Sequence, residues 1–471
     1  MTRLPSIVLV AAALWVVSSC SIGSERPVKR PNILFIFIDD LGWMDVACQG
    51  NKLVETPNID RLAKQGMRFT DAYAAAPVCS PTRAAVLTGL APARLGITNH
   101  LPDQKRFTPK NAKLGPAECI DHLGLEYVTI AERLKTVGYR TAFMGKWHIC
   151  GDWSGKDGGK GDARYHPEHQ GFDINIGGNA RGGPSTFFDP YNIYALPDRK
   201  KGEYLPYRLA DEAIAFLEQS KRDGKPFYLN LSHYTVHWPM EAPDELLKKY
   251  KTRTGPGLND TRYGAMIEAM DKAVGRVLTR LDELGLADNT LVVFTSDNGG
   301  YSGVADNRPL RKGKGFLYEG GTRVPLIVRW PGVTSPATMS AEPVISMDFF
   351  PTFLTAVGLR PDPASPLDGC DLTPILRRSG DLGREAIYFH YPNYAFHGKN
   401  RLGGAIRAGR HKLILHYGDD STELYDLSAD ISETRDLSAV LPAKTAELKG
   451  KLKAWLRDTG AKMPRRLGAA K

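Results

Sequence analysis

The sequence predicts an α/β protein. A large mixed, mainly parallel sheet flanked by helices is followed by a smaller antiparallel sheet carrying one helix. Three observations carry this expectation. Residues 33–38 form an unbroken apolar run, as in a strand buried on both faces. Strand-like runs then alternate with helical periodicity as far as residue 357, the pattern of parallel strands with helices on both sides. After about residue 375 the texture changes to short strands separated by tight turns such as Ala408-Gly409-Arg410.

The elements follow in order. Asp39-Asp40 closes the first strand. Thr56 caps a helix that begins at Pro57 and runs to about residue 65, with Gly66 at its end. Residues 80–88 read as a helix stopped by Gly89, and 126–137 as a helix stopped by Gly138. A strand at 139–144 runs into a loop at Gly145. The stretch 151–203, rich in Gly, Asp and Lys and weakly periodic, reads as a long surface insertion. Helices are expected at 209–219, 263–284 and 347–357, and strands at 226–231, 290–295 and 324–328. The C-terminal part offers strands at 386–390, 404–407, 412–416 and 423–425 and a helix at 441–456. Four polar clusters, Asp39-Asp40, Lys146 to His148, His233 to His237 and Asp297-Asn298, each sit just past a strand. In an open parallel sheet such positions share the edge where ligands bind.

The formal net charge is +10, but residues 1–30 contribute +3 and 449–471 contribute +7, so residues 31–448 sum to zero. A nucleic-acid footprint needs basic residues gathered on the folded body, so no nucleic-acid partner is expected, and the basic tail reads as a solvated helix face. At the other end, Arg3 precedes an apolar run at 7–17, too short to span a bilayer and suited to a secretory signal. The run ends in Val17-Ser18-Ser19-Cys20, which resembles a bacterial lipobox. Residues 1–19 are therefore expected to be a lipoprotein signal peptide and 20–30 a tether. Membrane attachment would come only through a lipid on Cys20, and the body would lie outside the cytoplasm, periplasmic or anchored at the outer membrane. The six cysteines are 20, 48, 79, 119, 150 and 370. With Cys20 and Cys79 assigned elsewhere, the remaining four allow three disulfide pairings or free thiols.

Asp39, Asp40, Asp297 and Asn298 offer oxygen donors alone, which suit Ca²⁺ or Mg²⁺ rather than zinc or copper. Clustered carboxylates would otherwise raise one another's pKa. In Cys79-Ser80-Pro81-Thr82-Arg83, Pro81 suits a first helical turn. Cys79 then lies at a helix N-terminus with Arg83 one turn later on the same face. From the residues alone this is a reactive cysteine beside an anion site.

The run Cys79-Ser80-Pro81-Thr82-Arg83-Ala84-Ala85-Val86-Leu87-Thr88-Gly89 resembles the C-x-P-x-R-x-x-x-L-T-G signature of type I sulfatases, in the alkaline-phosphatase superfamily. Gly145-Lys146-Trp147-His148, Ser232 to Pro239, Leu310 to Gly315 and Tyr318 to Pro325 extend the resemblance across about 31–460. It implies an alkaline-phosphatase-like catalytic domain over 31–375 and a C-terminal subdomain over 376–471. It further implies that Cys79 is oxidised to Cα-formylglycine by a formylglycine-generating or anaerobic sulfatase-maturing enzyme. One oxygen of the hydrated aldehyde would bind a single Ca²⁺, in preference to Mg²⁺, with Asp39, Asp40, Asp297 and Asn298, and would attack the sulfur of a sulfated saccharide to give a sulfated enzyme. Arg83, Lys146 and Lys314 would neutralise sulfate oxygens, His237 with Lys314 would protonate the leaving alcohol, and His148 would be the base for the second hydroxyl. Glu319 and Arg323 would be an ion pair buttressing the Lys314 loop, and His233 would be structural or support the site residues from behind. Trp147 and Trp238 could stack on sugar or pack as wall. Loops 99–106, 151–203 and 390–404 would read the sugar, with exo-acting removal of a galactose- or N-acetylgalactosamine-type sulfate expected. The alternatives are a phosphonate or phosphate ester hydrolase of the same superfamily and an inactive carbohydrate-binding lipoprotein.

Overall fold

The computed structural model describes residues 1–2, 30–102, 106–152, 158–396 and 399–467. The expected signal, lipid-bearing Cys20 and most of the tether lie outside the described residues. No described helix is long and apolar enough to cross a membrane.

The main sheet is built from β1 (Asn32–Ile38), β2 (Met67–Phe69), β3 (Arg140–Gly145), β4 (Ile174–Ile176), β5 (Phe227–Ser232), β6 (Thr290–Ser296), β7 (Leu326–Arg329) and β8 (Thr338–Ser340). Their order in space is β8-β2-β7-β6-β1-β5-β3-β4. All neighbours are parallel except β7, which runs antiparallel to both β6 and β2. β1 is central and wholly buried. Alternation along it splits its apolar run between two cores. Leu34, Ile36 and Ile38 face α1 (Pro57–Gln65), α4 (Leu205–Asp223) and α5 (Thr261–Glu283). Ile33, Phe35 and Phe37 face α2 (Cys79–Thr88), α3 (Ile130–Lys135) and α6 (Phe349–Ala356). Each side chain buried this way contributes about 2 kcal/mol relative to exposure, so the continuous apolar run is what places β1 in the middle.

The second sheet comprises β9 (Ile387–Tyr391), β10 (Gly403–Ala408), β11 (His411–His416) and β12 (Thr422–Asp426), antiparallel throughout. α7 (Pro442–Asp458) packs on it through Leu448, Leu452 and Leu456. The α/β fold class read from the sequence is therefore the one observed.

Several local expectations change. The helix expected at 126–137 is confined to α3, because Thr129 and Glu132 form a capping box that starts it later. Thr56 stands at the N-cap of α1, but its hydroxyl serves Ala47 and Asp60 instead of the helix amides. The segment 151–203 is not merely a surface insertion: it contributes β4 to the sheet edge, and Phe187 and Tyr191 to the core. Among the described residues Cys48, Cys79, Cys119, Cys150 and Cys370 are all free thiols.

Candidate active site

The ends of β1, β5, β3 and β6 lie level. Phe37 pairs with Ser232, Ser232 with Gly145, and Ile38 with Ser296. Gly145 permits this convergence, since a Cβ there would lie 1.8 Å from the Ser232 carbonyl oxygen. Its φ of +105° also lies in the region that favours glycine. Asp39-Asp40, Lys146 to His148, His233 to His237 and Asp297-Asn298 thus emerge together. Asp40 and His148 hold left-handed backbone at φ 61° and 62°, the kind of strain that clusters at functional sites.

One carboxylate oxygen each from Asp39, Asp40 and Asp297 lies within 4.8 Å of the others, and all three residues are buried. The Oδ1 atoms of Asp39 and Asn298 are buried with no hydrogen-bond partner. Hard oxygen donors, two of them otherwise unpaired, fit a divalent cation of the Ca²⁺ or Mg²⁺ type. Burial, together with Asp297 and Asp40, pushes the Asp39 carboxyl well above its usual range against the pull of Lys146 and Arg83. A cation relieves that cost. Despite burial, Lys314 and His237 hold Asp40 low.

Cys79 opens α2, and Sγ lies 3.3 Å from His148 Nδ1. Burial raises the thiol pKa, against Lys146 and Lys314. Arg83 follows one turn later, buried beside the carboxylate cluster and outside the pocket lining. Its Nε and Nη2 donate to Asp297 Oδ2 at 3.0 and 2.6 Å, and Nη1 donates to the Lys146 carbonyl at 2.7 Å and Ser232 Oγ at 2.6 Å. In this arrangement Arg83 seats the Asp297 carboxylate. Lys146 Nζ pairs with Asp39 at 2.7 Å, wholly buried. Lys314 Nζ pairs with Asp40 at 2.6 Å.

The pocket above, about 320 Å³, is lined by Asp40, Cys79, His148, His237 and Lys314. Arg83, Lys146, Asp39, Asp297 and Asn298 stand behind that wall. His237 Nδ1 faces the Trp238 carbonyl at 3.0 Å and Nε2 faces Asp40 at 3.8 Å. Burial, then Lys314, lowers its pKa to about 3. His233 is buried with neither ring nitrogen hydrogen-bonded, so it stands apart from the pocket. Trp147 packs in the core, whereas Trp238 lines the pocket and is 44% exposed. Glu319 accepts from Arg323 Nε at 2.6 Å, Tyr73 at 2.7 Å and Lys412 at 2.8 Å, tying the loop that carries Lys314 to the second sheet.

Sequence reading missed the Gly182-Gly183 strap, which runs against both histidines. A Cβ on Gly182 would lie 2.8 Å from His148 Cε1 and Nε2, and one on Gly183 2.8 Å from His237 Nδ1. The Gly-Gly pair was the available signal. Around the mouth stand His100, Arg106, Phe107, Tyr301 and Phe396, with Phe396 5.3 Å from Tyr301 and 5.9 Å from His100 between ring centres.

A helix-borne residue and two histidines above a buried carboxylate cradle, on a mainly parallel sheet, define an alkaline-phosphatase-like hydrolase. The sulfatase family profile matches residues 31–359. The profile described as N-sulphoglucosamine sulphohydrolase, C-terminal, matches 312–462. The chain belongs to the sulfatase family, and it is a sulfatase. It is 30% identical to a protein named sulfatase from Formosa agariphila, over 97% of this chain and 94% of that one. It is 31% identical to N-acetylgalactosamine-6-sulfatase of Mus musculus, over 93% and 81%. Among solved structures, Ps i-CgsB superposes with a TM-score of 0.78 at 30% identity, covering 92% of this chain and 94% of that one. Ps i-CgsB has also been solved in complex with k-i-k-neocarrahexaose.

Proposed function

We propose that this sulfatase removes sulfate from a sulfated saccharide, acting from the chain end on a galactose- or N-acetylgalactosamine-type unit. Its nucleophile is Cys79 converted to hydrated Cα-formylglycine, and one Ca²⁺ is held by Asp39, Asp40, Asp297 and Asn298. The observation that carries the reading is the pocket of about 320 Å³ reaching Cys79, His148, His237 and Lys314 under an aromatic mouth. That volume suits one sugar ring with its sulfate, which supports exo action. The oligosaccharide bound by Ps i-CgsB and the name of the mouse relative support the substrate class.

Charge supports the chemistry. Asp39, Asp40 and Asp297 face Arg83, Lys146 and Lys314, so the ionised protein groups alone balance. A divalent cation held by Asp39, Asp40, Asp297 and Asn298 would add two positive charges and supply Lewis-acid polarisation of the sulfate ester and of the attacking hydroxyl. Lys314, at the pocket wall, binds a sulfate oxygen. Arg83 and Lys146 act from behind by holding Asp297 and Asp39. His237, with Lys314, protonates the leaving alcohol once the negative charge of the bound sulfate ester offsets the burial and the Lys314 charge that keep the imidazole neutral in the empty site. His148 then takes the proton of the second hydroxyl of the sulfated residue, the carbonyl re-forms, and sulfate leaves with the C–O electron pair. Conversion requires a formylglycine-generating or anaerobic maturing enzyme, and the proposed setting is an exported lipoprotein anchored at Cys20.

Matched sulfate and phosphate monoesters, then a panel of sulfated monosaccharides and oligosaccharides, test this. Preferential release of sulfate from a terminal galacto-configured residue is expected. A large preference for phosphate or phosphonate esters would overturn it.

A further inference from the structure

The geometry points to Ser80 and Leu101 as positioning groups that fix His148 in the Nε2–H tautomer and turn its Nδ1 lone pair to Cys79. His148 Nε2 lies 2.5 Å from the Leu101 carbonyl oxygen. A carbonyl can only accept, so Nε2 carries the proton. The ring is buried. A neutral imidazole carries a single ring N–H, so with that proton on Nε2 the Nδ1 atom bears a lone pair. That nitrogen sits 3.3 Å from Cys79 Sγ and 3.2 Å from Ser80 Oγ. Ser80 Oγ in turn accepts from the Leu101 amide at 3.1 Å, which leaves its own hydrogen to donate to Nδ1.

One residue thus closes a ring of hydrogen bonds. The Leu101 N–H orients Ser80, Ser80 orients Nδ1, and Nε2–H returns to the Leu101 carbonyl. The His148 backbone is pinned as well, its amide donating to the Asn179 carbonyl at 2.8 Å. Among the described residues no carboxylate forms an ion pair with this imidazole, so a neutral carbonyl does the orienting that a carboxylate often does. Once Nδ1 has taken a proton, the Ser80 hydroxyl can rotate and accept from it, so one side chain serves both ring states. Leu101 also follows His100, whose ring lies 5.5 Å from Phe107 at the pocket mouth. The segment that shapes the mouth therefore also sets the base.

The inference rests on the reading of His148 as the base, but its first test needs no turnover. Full-length protein carrying ring-¹⁵N histidine, with His148 assigned by loss of its signals in His148→Gln, reports the tautomer directly. A protonated Nε2 and an unprotonated Nδ1 are expected, with the Nδ1 resonance shifting in Ser80→Ala. A protonated Nδ1 would overturn the inference whatever the enzyme's activity. In kinetics normalised to converted Cys79, Ser80→Ala should lower kcat roughly tenfold with KM unchanged, the loss of one oriented hydrogen bond. Ser80→Thr, which keeps the hydroxyl, should restore most of it. A folded Ser80→Ala enzyme with kcat within twofold of wild type, or a folded Ser80→Thr enzyme no better than Ser80→Ala, would contradict the positioning role.

Discussion

Adding one methyl group to the Gly182-Gly183 strap separates the two proposed half-reactions. In Gly182→Ala the new Cβ falls 2.8 Å from His148 Cε1 and Nε2, and in Gly183→Ala 2.8 Å from His237 Nδ1. Ordinary contact begins near 3.4 Å, so something must yield by about 0.6 Å. The His148 ring cannot retreat without stretching its bonds to Leu101 and Ser80. A misplacement of about 1 Å costs on the order of 100-fold in rate, so each variant should lose roughly ten- to thirtyfold in kcat. Both glycines are half-buried and neither needs left-handed backbone, so thermal stability should change little. The assay is kcat and KM per converted Cys79, on an alkyl-type sugar sulfate and on an aryl sulfate whose leaving group needs no protonation. Gly183→Ala, which crowds the acid, should be impaired far less on the aryl ester. Gly182→Ala, which crowds the base, should be impaired on both. If both variants stay within twofold of wild type on both substrates, the placement of His148 and His237 in these roles is wrong.

Three further outcomes are expected. Phe396→Ala should raise KM for saccharide sulfates several-fold while leaving kcat on a small aryl sulfate nearly unchanged, because the ring lines the mouth beside Tyr301 and His100 and not the reacting atoms. Glu319→Gln should destabilise the fold by about 1–3 kcal/mol in denaturant unfolding, since it removes the carboxylate shared by the buried Lys412 and Arg323 cations while Glu433 and Asp71 still pair with them. Tyr263→Phe should weaken Ca²⁺ binding by about tenfold in calorimetry on metal-stripped protein, because the Tyr263 hydroxyl reaches both the Asp40 carbonyl at 3.0 Å and Asp45 at 2.6 Å and steadies the left-handed Asp40.

What could be read from the sequence depended on whether a signal was local. The central strand was legible because all of residues 33–38 are apolar and buried on two faces, and α2 because Pro81 and Gly89 mark its ends. Convergence of Asp39, Lys146, His237 and Asp297 at one edge followed from strand ends in a parallel sheet. The direction of the Arg83 guanidinium did not follow, since spacing fixes the face of a helix but not which of several acceptors a long side chain meets. The role of 151–203 was hidden because Phe187 and Tyr191 are buried from irregular backbone, where no period marks them. The Leu101–Ser80–His148 ring depends on a backbone carbonyl brought 47 residues along the chain to a ring nitrogen, which no side-chain pattern announces.

The central claim is that this site releases sulfate through a residue made from Cys79. The most direct measurement pairs the mass of the Cys79 peptide with sulfate release across preparations made with differing amounts of maturing enzyme. A loss of about 18 Da, thiol to aldehyde, should appear in step with activity, with turnover proportional to the converted fraction and absent from folded Cys79→Ala. Turnover in unconverted protein, or in Cys79→Ala, equal to that of converted enzyme would contradict the account.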